Sequence, residues 1–457
     1  MKEEQFLEIH GNLQSVADER GLLNTLDIFI HFFLGSSAGA FNSNYHSILY
    51  RKYRRLYNSI YSWFQPEVKL RPGVIIMFPT EPTHVNQMIP VAQHLTAEGR
   101  SLTFVTTRPK IYRMVRDSGI SIKFLTGHFS SSAKNLLLPM SEVEDVGEHN
   151  STGISKHLSL LYSELLFMVD AFKELLVNTG PAYVLVGNDL TWEGRLMVRI
   201  GQLIKCRTGV IQHGLLGREV LNRYHVVDDF FVYGDAFQAV LEKDGLTGVE
   251  IVVVGAPYLD GGFDRDLRAP DPIIKQKLKL RNDGFVLIAL SGHGLRTSFE
   301  NYQLTLLWIE RLIRTHPELE FVIRLHRKER MKHYSIFPRS QRKRIIDRRR
   351  ARRLPENIFR WLKGCSCVIT GTSTVAYEAM LCSIPVISVD PLKEFAGIDF
   401  ITERVVEVVH SYEELDSALL KVNGKLCESN EFIRNIIDVD ETPASRRICE
   451  YIASIKG

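Results

Sequence analysis

The chain has 457 residues, 45% of them hydrophobic and 24% charged, enough for roughly two or three cores of ordinary soluble composition. Its formal net charge is only +4, so mean charge gives no reason to expect a polyanionic partner such as nucleic acid. The six cysteines, Cys206, Cys365, Cys367, Cys382, Cys427 and Cys449, lack zinc-ribbon spacing and fit small buried residues of a reducing compartment.

Residues 1–70 carry no strand punctuation, and Ile48 to Trp63, rich in Tyr, Arg and Leu, predicts an amphipathic helix within a helical N-terminal extension. No secretory signal is visible, and the apolar stretch Ile28 to Phe41 is broken by His31 and too short to span a bilayer. The expected location is the cytoplasm, with peripheral contact to a membrane left open. After Pro72 and Gly73, the continuous apolar run Val74 to Phe78 has the pattern of a strand buried on both faces.

An alternation follows. Val85 to Glu98 predicts a helix, Leu102 to Val105 a strand, Ile111 to Asp117 a helix and Ile120 to Leu125 a strand. Thr126 to Asn150 is polar and irregular, a candidate mobile loop, and Leu158 to Val177 has helical period. Ala182 to Val186, Thr208 to Gln212 and Phe230 to Tyr233 predict strands, with Trp192 to Ile204 a helix among them. The pattern restarts with strands at Ile251 to Gly255, Phe285 to Leu290, Phe321 to Leu325, Cys367 to Thr370 and Pro385 to Val389. Helices are expected over Tyr302 to Arg314, Val375 to Leu381, Tyr412 to Val422 and Glu431 to Ile455.

Such βαβ repetition implies parallel sheets covered by helices. The expected architecture is α/β, with two Rossmann-like doubly wound domains facing a cleft. The first would span residues 71–240 and the second 241–430, with a boundary near Asp235 to Val249 and a C-terminal helix over 431–457.

Open α/β sheets bind ligands at the carboxyl ends of their strands, and this chain places its unusual residues there. Pro79-Thr80-Glu81-Pro82-Thr83-His84 follows the first strand, Gly187-Asn188-Asp189 a later one, and Gln212-His213-Gly214 ends another. In the second half, Ser291-Gly292-His293-Gly294 and His326-Arg327-Lys328 follow successive strands. Ile369-Thr370-Gly371-Thr372-Ser373-Thr374 then runs into a helix carrying Glu378 one turn in. Small residues at a helix start let a phosphate approach unpaired N–H groups, and Glu378 is placed to accept from a neighbouring hydroxylated group such as a ribose. His326 with Arg327 could neutralise a diphosphate, and Ser291 to Gly294 could cradle one. His213 is read either as a structural hydrogen-bonding residue or as part of the site, and His84 either as a helix cap or as a general base. The basic run from Arg339 to Arg353 is either a solvated surface or a contact for an anionic membrane.

Other chemistries lack their motifs. There is no G-x-x-x-x-G-K-[ST] loop, no H-E-x-x-H helix, no G-x-S-x-G elbow, and no G-x-G-x-x-G after the first strand of either half.

Two segments resemble the two-domain glycosyltransferases of the GT-B type. Phe78 to Leu95, running on through Glu98-Gly99-Arg100 to Leu102-Thr103-Phe104-Val105-Thr106, is similar to their opening β-loop-α-β, although Thr83 stands where the family usually has Gly. Gly371 to Thr374, with Glu378-Ala379, is similar to their nucleotide-binding turn and ribose-binding Glu. With Gln212-His213-Gly214 and His326, the set most resembles bacterial surface-polymer transferases, including polysialic acid and CDP-glycerol glycerophosphotransferase types, although Arg327 replaces their usual Pro.

The resemblance implies transfer of a sugar or polyol phosphate from a nucleotide-activated donor to a hydroxyl acceptor: a glycan, a lipid-linked or a small molecule. The donor would sit on Ser291, Gly292, His293, His326, Arg327, Gly371, Thr372, Ser373, Thr374 and Glu378. Gln212, His213 and Gly214 would line the same cleft. His84 would be the base, with Glu81 and Asp189 as alternatives. Neither a metal nor a resident cofactor is expected, because fixed dipoles and cationic side chains can stabilise a leaving nucleotide phosphate. The alternatives are an NDP-sugar 2-epimerase and a non-catalytic nucleotide-binding protein.

Overall fold

A computed structural model of the chain describes residues 70–125, 168–169, 171–214, 222–260, 269–281, 284–294, 297–326, 329–338, 345–351, 354–355, 357–395, 406–422, 436–438 and 442–455. The expected N-terminal extension, the loop Thr126 to Asn150, Arg327 and most of the basic run lie outside these residues, as does Cys427. The chain divides into two compact units, one of Met1–Asp260 with Ile437–Gly457 and the other of Gly261–Ile436.

The first unit holds a seven-stranded sheet: β1 (Ile75–Phe78), β2 (Leu102–Thr106), β3 (Ile122–Phe124), β4 (Tyr183–Val186), β5 (Thr208–Ile211), β6 (Asp229–Val232) and β7 (Glu250–Val253). Its spatial order is β3-β2-β1-β4-β5-β6-β7, and every pairing is parallel. The second unit holds six strands: β8 (Phe285–Ile288), β9 (Phe321–Arg324), β10 (Ile345–Ile346), β11 (Cys365–Thr370), β12 (Val386–Val389) and β13 (Glu407–Val409). Their order is β10-β9-β8-β11-β12-β13, again all parallel. The continuous apolar runs are central strands such as β1, β4 and β8, each buried along its whole length, because helices cover both faces of such sheets.

Helices attach by apolar stripes at helical spacing. In the first unit, Val85, Met88, Val91, Ala92 and Leu95 of the helix Pro82–Ala97 join a core with Ile75, Met77 and Phe104. In the second, Tyr302, Leu306, Ile309 and Leu312 of the helix Phe299–Thr315 join Val286, Ile288 and Ile323. The first of these helices begins three residues before the predicted start, since proline is tolerated in a first turn; His84 is therefore its third residue.

The predicted boundary near Asp235 to Val249 falls inside the first unit. Asp235–Lys243 is a helix, and the strand expected to open the second domain is β7, which pairs with β6 and ends the first sheet. The apolar run alone could not show which sheet it joins.

The C-terminal segment returns to the first unit rather than following the second. Its helix is Ala444–Ser454, shorter than predicted, starting after Pro443. Both oxygens of Asp260 accept from its first main-chain N–H groups, those of Ala444 and Ser445. Ile448, Cys449 and Ile452 enter the core of the first unit. At the amino edge of the sheet, Asp229 is fully buried and accepts from Arg207 (2.6 Å), from the Tyr183 hydroxyl (2.6 Å) and from the Tyr451 hydroxyl (2.8 Å). Burial and the Asp229 charge push the Tyr183 hydroxyl upward, so it remains a donor.

Asp229→Ala removes the buried acceptor shared by Arg207, Tyr183 and Tyr451, leaving Arg207 with Glu250, and is expected to cost about 2–4 kcal/mol. Urea denaturation reads this directly; a loss under about 0.5 kcal/mol contradicts the role given to Asp229.

Candidate functional site

Because all pairings are parallel, the carboxyl ends of the strands in each sheet share one edge. Each strand order reverses direction once, between β1 and β4 in the first sheet and between β8 and β11 in the second. A crevice opens at such a reversal.

At the reversal of the first sheet, His84 is buried and its ring lies on Gly187, where an added Cβ would stand 2.3 Å from Nδ1. Only glycine admits that approach. Nδ1 accepts the main-chain N–H groups of Glu81 (3.1 Å) and Thr80 (3.3 Å), and the Thr80 hydroxyl is 3.2 Å away. A nitrogen that accepts from backbone N–H carries no proton, so the proton of the neutral ring is on Nε2. His84 therefore presents a donor, and the lone pair that a base needs is committed to the backbone. This is the cap alternative of the sequence reading. Glu81 is the N-cap of the same helix and forms a reciprocal capping box with His84.

Asp189 is fully buried; its carboxylate accepts from His225 Nδ1 (2.6 Å) and the Val226 N–H (2.7 Å). Burial pushes this carboxyl up, but His225, the Val226 N–H and Arg195 together outweigh it and keep the group ionised. It anchors the loop before β6. Gln212 spends its amide on the Tyr233 N–H (2.9 Å) and the Gly214 carbonyl (2.8 Å). His213 is exposed, with its ring 4.4 Å from that of His84.

At the reversal of the second sheet, the turn after β8 carries half-buried Ser291, buried Gly292 and exposed His293. Gly292 has φ +71°, and an added Cβ would stand 3.0 Å from Glu329 Cγ. Half-buried His326 follows β9, and its N–H donates to Glu329 Oε2 (2.7 Å). After β11, Gly371 and Thr372 are buried while Ser373 and Thr374 are half-buried at the start of the helix Val375–Leu381. Thr370 Oγ1 ties this turn to the Ala289 carbonyl (2.7 Å), and Ser388 Oγ donates to the Gly371 carbonyl (3.1 Å). Glu378 is buried one turn into the helix.

Two residues that organise this edge were missed in the sequence. Glu329 is buried, and its Oε1 accepts from the hydroxyls of Tyr302 and Tyr334, each at 2.7 Å. It thereby joins the turn after β9 to the helix Phe299–Thr315, with Gly292 of the turn after β8 packed against it. Asp390, directly after β12, accepts from Asn301 Nδ2 (3.0 Å) and from the N–H groups of Glu394 and Phe395 (2.9 Å each). That brings the Phe395 ring beside Gly371. An acid immediately after an apolar strand was a findable signal for Asp390; Glu329 was hidden in a run of charges.

A groove of about 580 Å³ lies elsewhere on the second unit, along Arg311, Thr315, Tyr412 and Asp416, and none of the strand-end turns lines it. No described helix is long and apolar enough to cross a membrane.

No family model matches the chain, and no curated protein matches it in sequence. Solved structures do match in fold. The UDP-GlcNAc 2-epimerase of Methanocaldococcus jannaschii superposes with TM-score 0.54 at 15% identity, over 83% of this chain and 99% of that one. A UDP-N-acetylglucosamine 2-epimerase, so described provisionally, of Listeria monocytogenes gives 0.55 at 14%, over 84% and 97%. A glycosyltransferase of Rickettsia africae gives 0.51 at 12%, over 84% and 100%. At these identities the likeness shows the fold: two Rossmann-like α/β units of the GT-B type.

Burial raises the Glu329 carboxyl despite its three hydrogen-bond donors. Its proton then favours the native state; that contribution is complete below the unfolded value of about 4.3 and is lost as pH rises through the higher folded value. The stability of the native chain relative to Glu329→Gln should therefore fall across that window, and a pH-independent difference in urea denaturation contradicts the assignment.

Proposed function

We propose that this chain is an enzyme of nucleotide-activated sugars and that it transfers the sugar, or a polyol phosphate, to a hydroxyl acceptor. The observation that carries the reading is the gathering of Ser291 to His293, His326 and Gly371 to Thr374 around the β8–β11 reversal, with Glu329 bracing two of these turns.

In this reading the second unit holds the donor. Main-chain N–H groups of the Gly371 to Thr374 turn, with His293 and His326, face the diphosphate, and Glu378 accepts from the ribose. These are fixed dipoles and imidazoles aimed where charge develops as the nucleotide leaves. For a sugar, the acceptor oxygen attacks the anomeric carbon and the bond from that carbon to the diphosphate oxygen breaks; for a polyol phosphate, it attacks the transferred phosphorus and the phosphoanhydride bond to the nucleotide phosphate breaks; in both, the acceptor proton passes to a base. On the first unit that base is His213, the exposed imidazole packed on His84. His84 contributes its Nε2–H as a donor. The acceptor is a glycan, lipid-linked or small-molecule hydroxyl, and the basic run from Arg339 to Arg353 would suit an anionic membrane that presents it.

A second reading, an NDP-sugar 2-epimerase, is favoured by the fold likeness to epimerases across most of the chain. Donor alone separates the two. Inversion at C2 without any acceptor establishes the epimerase, whereas dependence on an added hydroxyl establishes transfer. Tight nucleotide binding with no donor consumed under either condition overturns both.

For transfer, His213→Gln should lower kcat by about 10²–10⁴ while leaving nucleotide affinity unchanged. Glu378→Gln should do the reverse, weakening nucleotide binding in calorimetry. Near-normal turnover of the first variant sends the base elsewhere, and unchanged affinity of the second removes the ribose role.

A further inference from the structure

The turn after β9 continues into the short 3-10 helix Met331–Tyr334, which brings His333 beside His293 from the turn after β8. The ring centroids are 5.6 Å apart at 61°, and each lies 5.9 Å from the Tyr302 ring. No motif pointed to His333, and its two neighbours in this cluster are distant in sequence.

The groups that face this pair define its electrostatics. The helix Phe299–Thr315 contributes the Phe299 ring, 5.2 Å from His293, and Tyr302. The Tyr302 hydroxyl is committed to Glu329, which also takes the Tyr334 hydroxyl and the His326 N–H. The nearby acid is thus satisfied by uncharged donors. Arg330 and Lys332, on the same short segment, add positive charge. Burial, then His293, Lys332 and Arg330, lower the His333 pKa. His333 Nδ1 is buried and makes no hydrogen bond among the described residues. The result is an imidazole with unused hydrogen-bonding capacity, its charged form disfavoured first by burial and then by its neighbours, at the edge where the donor phosphates are assigned.

We propose that His333 and His293 form a paired-imidazole subsite for a phosphoryl group, and that occupation of this subsite takes up a proton. The identity of the anion as a sugar-nucleotide diphosphate rests on the reading under Proposed function; the subsite itself rests on the cluster. An anion at the edges of both rings opposes the balance that lowers the His333 pKa, because it attracts the imidazolium form and offsets Arg330 and Lys332. Affinity is then greatest on the acidic side and declines as pH rises from the unliganded to the liganded imidazole pKa.

The test uses the full chain with histidines labelled at the ring carbon between the nitrogens, titrated by NMR from about pH 5 to 8. His333→Gln and His293→Gln assign the two signals. Sulfate, whose charge is constant over this range, and UDP-GlcNAc, whose diphosphate diester has no proton to gain there, are the probes. Either probe should raise the His333 midpoint by about one pH unit or more. The affinity for UDP-GlcNAc, by calorimetry, should fall by about tenfold in total between the unliganded and the liganded His333 midpoints in the native chain, level off above the liganded one, and lose this fall in His333→Gln. UDP-GlcNAc binding that leaves both imidazole titrations unchanged overturns the inference and spares the proposed function. A rise produced by sulfate with no binding of UDP-GlcNAc supports the subsite and counts against UDP-GlcNAc as the donor. No response to either probe overturns the subsite.

Discussion

Every described strand in both sheets runs parallel to its neighbours, and this decides where polar side chains can gather. A parallel sheet with helices on both faces leaves only its two strand-end edges open to water-like chemistry. In the first unit the two edges are used differently. The amino edge holds Asp229 with Arg207, Tyr183 and Tyr451, a network that fastens the returning C-terminal helix to the sheet. The carboxyl edge holds His84 and His213, supported by Gly187 and by the amide of Gln212. In the second unit the carboxyl edge is braced by two buried acids, Glu329 and Asp390, that bind donors from loops and from one helix.

The imidazoles at these edges differ in what they offer. Two backbone N–H groups commit His84 Nδ1, so that ring can only donate from Nε2. His225 is committed to Asp189. His213 and His293 are exposed, and His333 retains a nitrogen without a partner among the described residues. The histidines at these edges thus differ in how far main-chain groups commit their ring nitrogens. That difference is set by main-chain geometry, which residue type does not reveal.

Much of the fold was legible because parallel strands advertise themselves. Val74 to Phe78, Phe285 to Leu290 and Cys367 to Thr370 are unbroken apolar runs, and they are β1, β8 and β11 within a residue or two. The short edge strands β10 and β13 were not seen, since two or three residues of an edge need little apolar content. The boundary was misplaced because β7 has the same apolar signature as a first strand, and only pairing with β6 assigns it. At the candidate site, the strand-end turns were found from small and polar residues following apolar runs. Glu329 was not, because its partners Tyr302 and Tyr334 are recruited from a helix and a later turn. Asp189 was found as a lone acid after a strand, but its partners His225 and Val226 were not, since they come from the loop before β6.

The central claim is that the carboxyl edge of the second sheet, at the β8–β11 reversal, holds the phosphates of an activated sugar. Hydrogen–deuterium exchange of the full chain, with and without saturating UDP-GlcNAc, reads this most directly. The account predicts slowed exchange confined to residues 291–294, 326–334 and 371–378 of the second unit. Slowed exchange at the Arg311 and Tyr412 groove, with those three segments unchanged, would contradict it.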